Sequence, residues 1–154
     1  LVIHDTLEQA LAPMQQVVGL STRAGKNRMA PLLLHEWAPA WYRSPRGPTA
    51  LMFGPEDTGL TQEHIEHCTW TVRIPAAAEY TSFNLAQATL LTLFELVRQE
   101  WWTGAEPPAE ERSGERPTWN EFYHLDRLVE LTLTQAGFYR KGSPEPVPGL
   151  VRNL

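Results

Sequence analysis

The chain has 154 residues, a formal net charge of −5, 42% apolar and 20% charged residues. Those proportions suit one domain with a real core, exclude a generic nucleic-acid coat, which needs a basic face, and contain no apolar run near the roughly 20 residues that span a bilayer. The only cysteine, Cys68, excludes an intramolecular disulfide framework; with no signal-peptide pattern at the start, a reducing, cytoplasmic setting is expected.

Leu1 to His4 is a short apolar opening that reads as the middle of an element. Asp5-Thr6-Leu7-Glu8 has the form of a capping box, with Asp5 as N-cap and Glu8 reaching back, so a helix is expected from Thr6 to about Ala12, stopped by Pro13. Gln16 to Leu20 is a buried-strand candidate. Beyond it, Ser21 to Arg28 forms a loop whose Arg23, Lys26 and Arg28 make it the most positive stretch of the chain. A solvated loop is one reading; a binding loop is the other, because ligands bind past strand ends in open α/β sheets. Pro31 suits the first turn of a helix through about Ala38, and Pro39, Pro45 and Pro48 then forbid regular structure up to Thr49. Trp37, Trp41 and Tyr42 form an aromatic cluster, expected in the core or at a partner interface ahead of base stacking.

Ala50 to Phe53 is a second buried strand, running into Gly54-Pro55-Glu56-Asp57-Thr58-Gly59-Leu60, a glycine-bounded turn that carries a carboxylate. Gly54 and Gly59 permit a sharp reversal or close approach of a ligand, and a branched side chain at Gly54 is expected to enter the pocket. A short helix from Gln62 to His67 and a strand from Thr69 to Ile74 follow. His64, His67 and Cys68 have a spacing a metal could use, but they lack a fourth ligand and match no standard zinc pattern, so packing and capping are expected and no metal. The next loop leads to Thr81 or Ser82 as N-cap of a long helix, about Phe83 to Trp102. On that helix Ala86, Leu90, Leu93, Phe94, Val97 and Trp101 recur at intervals of three and four, a buried stripe widened by Leu91 and Leu96. It should be wedged between the sheet and a second subunit. Residues 103–117, poor in apolar side chains and rich in Pro, Gly and charge, read as a flexible linker. Thr118-Trp119-Asn120-Glu121 is a second capping box, opening a helix to about Ala136 that Gly137 ends; with a proline-containing tail it makes up 118–154.

Three loops past strand ends, at Leu20-Ser21-Thr22, Gly54 to Gly59 and Ile74 to Asn84, are expected to form one pocket, largely of main-chain groups, suited to a flat heterocycle such as adenine. Nothing matches a phosphate-binding P-loop, a dinucleotide fingerprint or a nucleophile elbow. The expected class is α/β, a mainly parallel sheet flanked by helices, with a C-terminal helical extension. Glu56, Ser82 and Asn84 are the polar residues best placed to orient reacting groups. Each has a structural alternative: Glu56 holds its own turn, Ser82 is only an N-cap, Asn84 bonds across the loop.

The run Phe53-Gly54-Pro55-Glu56-Asp57-Thr58-Gly59-Leu60, followed by Ile74-Pro75 and Ser82-Phe83-Asn84-Leu85-Ala86-Gln87-Ala88, resembles the second and third signature motifs of the SpoU/TrmH-type RNA 2′-O-methyltransferases of the SPOUT class. Val17-Val18-Gly19-Leu20-Ser21-Thr22-Arg23 and Ala136-Gly137-Phe138 are similar to the TrmJ subgroup, which modifies a tRNA anticodon-loop ribose. The resemblance implies a trefoil-knotted SPOUT domain over residues 1–102, N-terminally incomplete, in a homodimer that methylates tRNA or rRNA riboses with S-adenosyl-L-methionine. By the same resemblance Leu20, Ser21, Thr22, Gly54, Ile74, Thr81, Ser82 and Phe83 line the cofactor site. Asn84, Glu56 and Ser82 would serve catalysis, Arg23, Lys26 and Arg28 would meet RNA, and neither metal nor membrane is implied. The family's first motif, an N-x-G-x-x-x-R-like segment, has no counterpart here. An N-terminal portion with the family's catalytic arginine is therefore expected to be missing from this sequence, and that role is not transferred to Arg23. The alternatives are a non-catalytic RNA-binding or dimerisation module of the same fold and, third, a small metal-dependent hydrolase using His64, His67 and Glu56.

Overall fold

The computed structural model of the chain describes residues 1–23, 30–43, 47–77, 83–104 and 116–137. Four parallel strands, β1 (Gln16–Leu20), β2 (Leu32–Leu33), β3 (Thr49–Met52) and β4 (Trp70–Arg73), form a sheet in the order β2-β4-β1-β3. Central β1 sets Val17 opposite Ala50 of β3 and Val18 opposite Trp70 of β4. Successive strand residues face opposite sides of a sheet, and both Val17 and Val18 are fully buried. The sheet is therefore covered on both faces, as parallel sheets generally are.

On one face α2 (Leu34–Arg43) packs Leu34, Trp37 and Ala38 against Val18 and Val72. On the other, Val17 meets Leu11 of α1 (Leu7–Leu11), Cys68, and Trp119 at the start of a C-terminal helix. Burying one such aliphatic side chain contributes about 1.5–3 kcal/mol, so this cover holds the strand ends in place. Two further helices are α3 (Gln62–Glu66) and α4 (Leu85–Thr103), and the C-terminal one is α5 (Trp119–Gln135). Among the described residues no helix is long and apolar enough to cross a membrane.

Several local expectations are corrected. The N-cap of α1 is Thr6, whose side chain accepts from the Gln9 amide; Asp5 instead donates its own amide to Gln9 Oε1. Leu32–Leu33 pairs with β4 as an edge strand where a helix start was expected, and α2 then runs through Pro39 to Arg43. Proline inside a helix costs about 3 kcal/mol, but Trp37, Ala38 and Tyr42 are buried along this helix and outweigh it. Trp37 and Trp41 sit with ring centroids 5.7 Å apart, so the aromatic cluster is core packing. The N-cap of α4 is Asn84, in place of Thr81 or Ser82, because Asn84 and Gln87 exchange side-chain and backbone hydrogen bonds.

The apolar stripe of α4 is the largest departure. Leu90 is 69% exposed, Phe94 51% and Trp101 72%, while Thr92 and Gln99 are buried. The buried polar groups are satisfied: the Thr92 hydroxyl donates to the Ala88 carbonyl at 2.8 Å and the Gln99 amide to Glu95 Oε1 at 2.9 Å. α4 packs on α2, with Leu96 reaching the core. The rest of the stripe faces outward.

The Thr118 and Glu121 capping box of α5 forms as expected. Trp119 pins this helix to the sheet domain, its indole N–H donating to the His67 carbonyl at 3.1 Å and its ring stacking on Tyr123 at 5.0 Å. Of the linker expected over 103–117, Thr103 belongs to α4 and 105–115 lie outside the described residues, as does the tail over 138–154.

Candidate functional site

β1, β3 and β4 run in the same direction, and the loops past their carboxyl ends bound a cleft of about 270 Å³. Leu20, Ser21 and Thr22 reach it from β1, Gly54 from the loop after β3, Ile74 from the end of β4 and Phe83 from the approach to α4. Six of the eight residues expected to hold the ligand thus meet in one place. The other two, Thr81 and Ser82, and also Lys26 and Arg28, lie outside the described residues.

Main-chain bonding shapes the walls. The Ser21 amide donates to the Val72 carbonyl at 2.9 Å, carrying the parallel ladder past the end of β1. Ser21 Oγ then accepts from the Arg23 amide at 3.1 Å, and Arg23 Nη1 donates to the Leu60 carbonyl at 3.3 Å, which ties the β1 loop to the β3 loop. Gly59, at φ +63°, donates its amide to the Pro55 carbonyl at 2.8 Å and closes the turn; a left-handed residue there favours glycine. A Cβ on Gly54 would overlap the backbone of Gly59 and Leu60. Gly54 is therefore required for the turn to fold back on itself, which corrects the expectation that a side chain there would enter the pocket.

Glu56 lines the same cleft, and its Oε1 accepts from the Leu85 amide at 3.2 Å. That bond joins the β3 loop to the first turn of α4, a helix end where the macrodipole favours a carboxylate by about 0.3–1 kcal/mol. Asn84 is exposed, and its Oδ1 accepts from the Gln87 amide at 2.8 Å. It caps the helix whose Leu85 and Ala88 line the cleft, and it is not itself among the residues lining it. Arg73, at the end of β4, also lines the cleft. Sequence reading passed over it as a strand residue, although its place one residue before Ile74, at a strand's carboxyl end, was a usable signal.

His64, His67 and Cys68 have structural partners. His64 Nδ1 accepts from the Thr61 amide in the cap of α3, and Cys68 Sγ lies 3.5 Å from the His64 carbonyl. His67 Nε2 is 3.7 Å from the Glu8 carboxylate. Glu8 is held below the usual carboxylate range by its own backbone hydrogen bond first, against a smaller desolvation effect, with help from the Thr6 hydroxyl and His67. Among the described residues no three His, Cys, Asp or Glu side chains gather as metal ligands would.

Fold and cleft together define a class: open α/β proteins that take a small ligand beyond the carboxyl ends of parallel strands. Within it, residues 1–94 match the SpoU rRNA Methylase family, and the chain belongs to that family. It is 35% identical over 161 aligned residues to the tRNA (cytidine/uridine-2'-O-)-methyltransferase TrmJ of Yersinia enterocolitica, covering 99% of this chain and 60% of that relative. The crystal structure of TrmJ from Z. mobilis shares the fold, with a TM-score of 0.69 at 21% identity over 99% of this chain and 63% of that one. A probable methyltransferase from Bordetella pertussis Tohama I aligns at TM-score 0.53 and 37% identity, over 62% of this chain and 59% of that one. The chain thus spans about 60% of the length of the curated relatives it matches.

Proposed function

We propose that the protein is an S-adenosyl-L-methionine-dependent ribose 2′-O-methyltransferase acting on tRNA or rRNA in the cytoplasm, a homodimer with its chain threaded in the SPOUT trefoil knot. The observation that carries this reading is the meeting of Leu20, Ser21, Thr22, Gly54, Ile74 and Phe83 in one cleft of a member of the SpoU family. The lining suits the cofactor's nucleoside part: the apolar Leu20, Leu60, Ile74 and Phe83 stand beside the small and polar residues of the β1 and β3 loops, Ser21, Thr22, Gly54, Thr58 and Gly59 among them. Its volume lies just below the roughly 300–1,000 Å³ usual for small-molecule sites. Leu20, Ser21, Thr22, Gly54, Ile74, Thr81, Ser82 and Phe83 would hold the cofactor, which when bound supplies a methyl group already activated on a sulfonium. What remains for the chain is alignment and removal of the acceptor proton. Ser82 is assigned to orient the reacting groups directly. Glu56 and Asn84 act through the first turn of α4, which they hold, and Arg23, Lys26 and Arg28 meet the RNA. No metal takes part.

The outward stripe of α4, with Leu90, Leu93, Phe94 and Val97 between 43% and 69% exposed, supports the homodimer, since apolar patches of this kind mark interfaces. Leu90→Glu with Phe94→Glu should convert a sedimenting dimer to monomer; an unchanged sedimentation coefficient removes α4 from the interface.

The decisive experiment incubates the full-length protein with methyl-labelled S-adenosylmethionine and an unmodified tRNA transcript. Label on a ribose 2′-oxygen is expected. A protein that binds S-adenosylhomocysteine and RNA yet transfers nothing is the second reading, a non-catalytic module. One observation favours that reading: the Glu56 and Asn84 side chains are already engaged in holding α4.

A further inference from the structure

We propose that Arg73 is a phosphate-binding residue at the mouth of the cleft, gripping the backbone of the RNA whose ribose is presented there; this rests on the methyltransferase reading above. At the end of β4, Val72 is buried in the core beneath α2, while Arg73 is exposed and lines the cleft. Among the described residues lining the cleft, Arg23 and Arg73 are the two cations, against the carboxylates of Glu56 and Asp57. Three of these charged side chains differ in their engagement. Glu56 is held by the Leu85 amide and Arg23 by the Leu60 carbonyl. The Arg73 guanidinium has neither an ion pair nor a hydrogen bond among the described residues.

The overall charge of the chain gives that guanidinium its use. A protein with a net charge of −5 repels a polyanion at long range, so cations at the point of contact must supply the attraction. An exposed cation on a flexible stem at the rim suits a phosphodiester that stays in water, as most phosphate contacts do. It suits less well the carboxylate of an enclosed small cofactor. Arg73 also stands one residue before Ile74, an expected cofactor contact, so a phosphate held there sets the distance between the RNA strand and the reacting centre.

Arg73→Gln and Arg73→Lys are to be compared with wild type in the full-length protein. The probes are an unmodified tRNA transcript and a sequence-unrelated transcript of equal length, titrated at several salt concentrations. For Arg73→Gln the slope of log Kobs against log[salt] should fall by about 0.7–0.9, with affinity for both transcripts weakened alike. Arg73→Lys should keep most of the slope, and calorimetric affinity for S-adenosylhomocysteine should hold in both variants. An unchanged slope in Arg73→Gln overturns the proposal and makes Arg73 a solvated strand-end cation. A loss of S-adenosylhomocysteine affinity with the slope intact overturns it in favour of the cofactor's carboxylate. Wild-type protein that binds no transcript and transfers no methyl defeats the functional reading itself along with this proposal, whereas a steep wild-type slope retained in Arg73→Gln defeats Arg73 alone.

Discussion

Replacing Asn84 separates two roles that one residue could combine. The structure assigns it to the N-cap of α4, where Oδ1 accepts from the Gln87 amide and Gln87 Oε1 accepts from the Asn84 amide. Asn84→Ala removes the cap, and such losses cost about 0.5–2 kcal/mol. A middle value of about 1 kcal/mol lowers Tm by roughly 2–4 °C for a domain of this size. The first turn of α4 supplies Leu85 and Ala88 to the cleft, so if all of that loss falls on ligand binding the affinity drops about fivefold. Asn84→Ser keeps a capping oxygen and should restore both stability and affinity to near wild type. Thermal unfolding, calorimetry with S-adenosylhomocysteine and methyl-transfer rates on the three proteins make the test. If Asn84→Ser is as stable as wild type but transfers methyl at less than about a tenth of its rate, an effect above 1.4 kcal/mol, the amide itself works in the chemistry and the capping account fails.

Gly54→Ala should abolish S-adenosylhomocysteine binding in calorimetry and destabilise the fold by about 1–3 kcal/mol, because its Cβ would overlap the Gly59 and Leu60 backbone; normal affinity would mean the turn can open without harm. Trp119→Ala should cost about 3–5 kcal/mol in urea unfolding, since the residue is 2% exposed in the core. Trp119→Phe, which withdraws the donor to the His67 carbonyl and leaves a smaller ring, should cost about 1–3 kcal/mol; wild-type stability in Trp119→Phe would dismiss that hydrogen bond. Glu8 and Glu121 both have carboxyl pKa values lowered in the folded chain, Glu8 chiefly by its backbone bond and Glu121 by its backbone bond with Thr118. Lowered carboxylates stabilise above their unfolded value and lose that contribution as pH falls through the folded one. Unfolding followed downward from about pH 4.3 should therefore show a steeper acid loss in wild type than in Glu8→Gln/Glu121→Gln, and parallel curves would contradict it.

What could be read from the sequence was what local chemistry decides. Gln16–Leu20 was read to the residue because both its faces had to be apolar, and the Thr118 box because its partner lies three residues away. Where several capping residues stand together, sequence alone chose the wrong one. Thr6 took the place of Asp5 and Asn84 that of Thr81 or Ser82, and at α4 the Glu56 bond to Leu85 comes from 29 residues away. The two-residue strand Leu32–Leu33 carries no period to detect, and its register with Val72 and Arg73 is a tertiary fact. The α4 pattern identified which residues share a side but could not say that Thr92 and Gln99 would be the ones packed inward. The convergence of the three loops was legible; for Arg73 the sequence offered only its place one residue before Ile74, since a strand residue's facing depends on what covers the opposite side.

A helix with Trp101 and Trp102 outdoors and Thr92 and Gln99 indoors also bears on how the protein must be handled at the bench. If this flank joins two copies as proposed, the species in the tube depends on dilution. Rates gathered at nanomolar protein and melting curves gathered at micromolar protein then describe different objects. Each reported figure should accordingly carry the concentration at which it was taken.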